Sequence, residues 1–146
     1  MEKKFHHLVR GILVEDSKVL LAKAKGSHVI FLPGGHIEIG ESAKDALGRE
    51  FEEELGETCI VGDFLGVVEH KWEANNVFHY EVNQIFEIKS SSLPRNMNPI
   101  SVESHLDFFW CSEQVLNHTE LQPYPFREYI KKLINGNKGV LWASTL

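Results

Sequence analysis

The residues best suited to chemistry lie between Gly35 and Gly56, which read G-x5-E-x7-R-E-F-x-E-E-x-G. Glu41, Arg49, Glu50, Glu53 and Glu54 carry the charges of that stretch. At ~100° per residue, a helix here puts Glu50, Glu53 and Glu54 on one broad face with Ala43, Ala46 and Leu47. Phe51 and Leu55 fall at one margin of the face, and Arg49 lies beside Glu53 at the other. A face whose remaining members are small or apolar is the one a helix packs inward. Carboxylates crowded there repel one another and lose solvation. A divalent cation offsets both costs, and oxygen-only ligands select a hard ion, Mg²⁺ or Mn²⁺. Arg49 can neutralise one glutamate and fix its rotamer. A solvated acidic helix laced with ion pairs would explain Asp45 and Glu52, which point away, but explains the other three poorly.

Several elements must position this group. Val29 to Leu32 is a short apolar run suited to a buried strand, and Pro33-Gly34-Gly35 breaks it with a turn. The acidic helix is predicted from Ser42 to Leu55, with Ser42 or Glu41 capping its start and Gly56 ending it. Before it, His7–Glu15 and Lys18–Ala24 read as a hairpin turning at Asp16-Ser17. After it, strands are expected around Gly62–His70 and over Val77–Ile88, joined at the polar turn 73–76. A polar loop, Lys89–Pro99, leads to a strand at Leu106–Cys111. A capped helical turn is expected at Ser112–Asn117, and a second helix from Pro125 to about Ile134. This order of elements predicts an α+β or mixed-sheet fold in a single domain, residues 1–146.

Composition narrows the function classes. Of 146 residues, 42% are hydrophobic and 25% charged, ordinary for a globular chain with a proper core. No run of 18 apolar residues exists, so no membrane span is expected. The first residues lack the apolar stretch of a signal peptide, and Cys59 and Cys111 are isolated thiols without metal-like spacing. Both point to a reduced, cytoplasmic protein. Net charge is −6, of which −5 falls within residues 41–57. With no basic stripe, a stable nucleic-acid complex is not expected. A site this acidic repels a phosphate ester unless cations bridge the two, which favours metal-dependent phosphate chemistry.

The stretch Gly35–Gly56, with Leu32-Pro33-Gly34 before it, resembles the Nudix box of the Nudix (MutT-like) hydrolases. The chain departs from the pattern at Glu57, where the family has an aliphatic residue; this bears on loop packing, not on the glutamates. The resemblance implies a three-layer α/β/α sandwich with a mixed central β-sheet. It implies hydrolysis of a nucleoside diphosphate linked to another moiety, a small-molecule substrate, by water attack at phosphorus. It also implies that Mg²⁺ or Mn²⁺ binds Glu50, Glu53 and Glu54 with the backbone carbonyl of Gly34. Gly35, Glu41 and Gly56 then shape the loop and helix ends, with a direct ligand role the lesser alternative for Glu41, and Arg49 orients Glu53 or a neighbouring glutamate.

The general base remains between Glu53, on the ligand face, and Glu103, which some members of the family place on a loop over the metals. Arg10, Phe31, Trp72 and Tyr80 are the candidates for substrate contact, with sheet packing or an ion pair the competing role of each. His70 and His79 flank the second hairpin, where satisfied or exposed histidines are the plainer reading. A homodimer is compatible with the sequence. Two other readings compete: a non-catalytic nucleotide or ADP-ribose sensor, which would have no need to keep every box glutamate, and a prenyl-diphosphate isomerase, for which neither cysteine is well placed.

Overall fold

The computed structural model describes all residues, 1–146. Its first sheet is mixed and five-stranded, in the order β5-β1-β7-β6-β9. Strand β1 (Glu2–Ile12) lies antiparallel to β5 (Gly34–His36) and parallel to β7 (Val77–Ser91). Strand β6 (Cys59–Ala74) forms a long antiparallel pair with β7 and a parallel one with β9 (Leu141–Ser144). The second sheet joins β2 (Val14–Glu15), β3 (Lys18–Ala24), β4 (Ile30–Phe31) and β8 (Leu106–Ser112), all paired through β3.

Strand alternation divides the core in two. Val9 and Leu13, with Leu20 and Ala22 of β3, join one apolar cluster under helix α1 (Ala43–Leu55). Ile12, Val19 and Leu21 point the other way. There they meet Leu116 of α2 (Glu113–Leu116) and Phe126, Tyr129 and Ile130 of α3 (Pro125–Ile134). Successive side chains of one strand thus serve opposite layers, which is the α/β/α sandwich expected. No helix is long and apolar enough to cross a membrane.

Helix α1 has the expected ends. Ser42 caps it by accepting from Asp45 N–H at 3.1 Å, and Gly56 closes it in the left-handed region. Its inward face differs from the expectation. The buried residues are Ala46, Leu47, Phe51, Glu54 and Leu55, so the two large apolar side chains anchor the face instead of edging it. Glu53 stands about 200° around the helix from Phe51 and its side chain is 53% exposed.

Other differences come from strand pairing. β1 starts at Glu2 rather than His7, because residues 2–7 pair in register with Val77–Val82. Polar residues there hide the strand from an apolar-periodicity reading. The turn expected at Pro33-Gly34-Gly35 is in part strand: Gly34 and Gly35 pair with Arg10 and Val9. β7 runs three residues past Ile88 into the expected loop, and β9 lies where no element was expected.

Candidate active site

The second half of α1, Glu41 in the loop before the helix and strand β5 form the acidic group, and Arg49 organises it. Its Nε donates to Glu41 Oε2 at 2.7 Å and its Nη2 to Glu41 Oε1 at 2.9 Å, a bidentate pair. Nη1 donates to Glu50 Oε1 at 3.1 Å and to Glu53 Oε2 at 3.2 Å, and Nη2 also reaches the His36 carbonyl at 3.1 Å. One guanidinium therefore fixes three carboxylates and ties α1 to β5. The hydrogen bond from Arg49 holds the Glu41 carboxyl below its usual range. Glu41 Oε1 also accepts from Glu38 N–H at 3.1 Å, so Glu41 braces the loop before the helix.

Gly35 explains its own residue type. A Cβ there would come within 2.5–2.7 Å of the Glu50 carboxyl atoms. Gly34 is more demanding, with φ at +143° and a Cβ position only 2.0 Å from the Val9 carbonyl oxygen. The pair lets the backbone lie directly beside the helix carboxylates.

Glu54 is the buried member, 9% exposed, and its Oε2 has no hydrogen-bond partner. Burial first, then the neighbouring Glu50, pushes its carboxyl up to about 8. Arg10 opposes that shift and Glu103 adds to it. Glu103 reaches this neighbourhood because its loop docks on the helix. Val102 N–H donates to the Glu54 carbonyl at 2.7 Å, and Ser101 Oγ donates to the same oxygen at 3.2 Å. Glu103 N–H then donates to Ser101 Oγ at 3.1 Å, which fixes the half-buried Glu103.

No three His, Cys, Asp or Glu side chains close into a cage for a metal ion. A magnesium site does not require one, since Mg²⁺ keeps several waters and uses few protein carboxylates. An orphaned, buried carboxylate oxygen next to a second carboxylate fits a hard divalent cation, which would relieve its desolvation and repulsion.

Beside the acidic group, a cavity of about 710 Å³ opens among β1, β4, β6 and β7. It is lined by Arg10, Phe31 and Trp72, three of the four residues proposed for substrate contact. Arg10 lies 5.5 Å from the Phe31 ring centroid, and its Nη1 donates to the Leu32 carbonyl at 3.0 Å. Trp72 stacks on His79, its cross-strand partner, at 3.7 Å.

Tyr80 does not join them. One step along β7 from His79, it turns to the opposite face, donates to Glu69 Oε2 at 3.0 Å and stacks on Phe5. His70 lines the cavity with its Nδ1 2.8 Å from Thr145 Oγ1, while His79 meets His6 at 2.8 Å. Glu81 and Asn83 also line the cavity and were missed from sequence. Their signal was faint: polar residues at alternate positions of a strand, which read equally well as a solvent face.

The family description "NUDIX domain" matches residues 5–133. The nucleoside triphosphatase NudI of Escherichia fergusonii is 30% identical over 126 residues, 78% of this chain and 86% of that protein. The ADP-ribose pyrophosphatase of Methanocaldococcus jannaschii is 42% identical over 62 residues. That match takes in 40% of this chain and only 37% of the relative's length. The crystal structure of a MutT NUDIX hydrolase from Burkholderia pseudomallei superimposes with a TM-score of 0.68 at 26% identity. It covers 89% of this chain and 98% of that one. The class defined by fold and site is the phosphoanhydride hydrolases with a carboxylate-lined helix. The chain belongs to the Nudix (MutT-like) hydrolase family.

Proposed function

We propose that the chain, acting as one unit over residues 1–146, hydrolyses the diphosphate linkage of a small nucleotide in a metal-dependent reaction. The observation that carries this is the pairing of buried Glu54 with Glu50 beside a glycine strand, where a divalent cation would relieve their desolvation and mutual repulsion. Names among the relatives agree in kind: a nucleoside triphosphatase and an ADP-ribose pyrophosphatase.

Glu50, Glu53, Glu54 and the Gly34 carbonyl would hold Mg²⁺ or Mn²⁺. Such an ion, when bound, neutralises a diphosphate and lowers the pKa of a water. Arg49 keeps Glu50 and Glu53 in fixed rotamers through hydrogen bonds at 3.1 and 3.2 Å, so little reorganisation accompanies reaction. The attacking water gives its proton to a carboxylate, for which Glu53 and Glu103 are the candidates. The oxygen of that water forms the new bond to phosphorus and the anhydride P–O bond breaks, leaving two phosphate products. The adjoining cavity takes the nucleoside end, with Phe31 and Trp72 as stacking surfaces.

The test is product release from a panel of nucleoside triphosphates, ADP-ribose, dinucleoside polyphosphates and nucleotide sugars. Each is assayed with Mg²⁺ or Mn²⁺, beside an EDTA control and the Glu53→Gln protein. Metal-dependent cleavage absent in the variant is expected. No cleavage anywhere in the panel, with thermal stabilisation by one nucleotide, would replace the hydrolase by the sensor reading.

A further inference from the structure

We propose that the cavity beside the acidic helix selects nucleobases bearing an exocyclic amino group, with Asn83 as the residue that reads it. The proposal rests on the nucleotide-hydrolase reading for its substrate and names the base that substrate carries. Asn83 is 1% exposed and lines the cavity. Its Nδ2 donates to the Val68 carbonyl at 3.3 Å and to Glu81 Oε2 at 3.1 Å. The amide orientation follows from these partners, because the flipped amide would set its oxygen against two acceptors. Oδ1 is therefore committed as an acceptor, and it has no partner in the protein. A buried acceptor left unpaired is costly, and a donor from a ligand removes that cost.

The surroundings repeat the same preference. Glu81 accepts from Trp72 Nε1 at 2.8 Å and from Asn83, and each carboxylate oxygen keeps a further lone pair. Arg10 has no ion pair; its one protein hydrogen bond goes to Leu32 O, which leaves N–H groups for a ring nitrogen or carbonyl. Acceptors on the β7 wall, a cationic donor on β1 and aromatic sides at Phe31 and Trp72 complement the edges of cytosine, guanine or adenine. Each of these presents an amino donor next to a ring acceptor or carbonyl. Uracil or hypoxanthine would put a lone pair, or nothing, where the amino group belongs. Sites built around a buried hydrogen bond reject the analogue that lacks it.

The experiment compares kcat/KM for nucleotide pairs differing at the amino group, CTP against UTP and GTP against ITP, with Mg²⁺. It uses the wild type, Asn83→Leu and, in case that variant does not fold, Glu81→Gln. In parallel, calorimetry on the Glu53→Gln protein measures binding of CMP, UMP, GMP and IMP. At least one amino-bearing nucleotide is expected to lead its partner by about tenfold or more, carried mainly in KM. The lead should fall below about threefold in a folded variant. Equal turnover within both pairs, or a lead that survives in every folded variant, overturns the proposal while leaving the hydrolase reading intact. If nothing is cleaved, the hydrolase reading fails and calorimetry decides. Tenfold tighter binding of an amino-bearing monophosphate supports the base preference, and equal or undetectable binding overturns it.

Discussion

Glu53 and Glu54 are adjacent in sequence but differ in surroundings, and their expected behaviour differs accordingly. Glu53 is exposed and held by Arg49, so Glu53→Gln should fold normally and lower kcat by about 10²-fold or more if it takes the proton. Near-wild-type turnover would remove it from the mechanism. Glu103→Gln is the companion measurement: a loss as large as that of Glu53→Gln makes the loop residue the base, and a loss under about tenfold favours Glu53.

Glu54 predicts a pH effect on stability. Its folded pKa, about 8, lies above the unfolded value near 4.3. The folded state therefore holds the extra proton between those values. Its contribution is fully present below about pH 4.3 and is lost as pH rises through 8. With EDTA present, thermal melts should show stability falling across that window. The fall should flatten in Glu54→Gln and on adding Mg²⁺. A melting temperature that rises over the window in the wild type would contradict the assignment.

At the scale of elements, the glycine strand and the helix face make separable demands. Gly34→Ala puts a Cβ against the Val9 carbonyl in a left-handed backbone, and neither neighbour is a side chain that can swing away. A destabilisation of about 1–3 kcal/mol is expected, read from denaturant melts. Gly35→Ala meets the Glu50 carboxylate, the far end of a side chain rather than backbone, which can give way by leaving Arg49. That variant should stay close to wild-type stability yet lose metal-dependent turnover, because the carboxylate must move. The reverse ranking of the two variants would show that β5 does not fix Glu50. The α1 caps, α3 and β3 were legible in sequence because capping residues, Pro125 and apolar alternation are local signals. The first five residues of β1 and all of β9 were not, since pairing with β7 and β6 makes them strands.

Across the whole molecule, the two apolar clusters share strands: β1 gives Val9 to one and Ile12 to the other, and β3 gives Leu20 and Leu21. Neither layer can lose its packing without disturbing the other. Urea unfolding should therefore show one transition, with tryptophan fluorescence and far-ultraviolet circular dichroism coinciding. Separated midpoints would divide the chain into two units.

The amino-acid sequence by itself determined the acidic helix, its caps, the glycine pair and the chemistry that clustered carboxylates demand. These depend on spacing within about twenty residues, where helical geometry alone relates the side chains. Tertiary structure decided which glutamate is buried, that Glu103 docks near Glu54, and that Tyr80 faces away while Asn83 and Glu81 enter the cavity. Those outcomes depend on strand register and loop docking between residues far apart in the chain, and one residue of register turns a side chain to the opposite face.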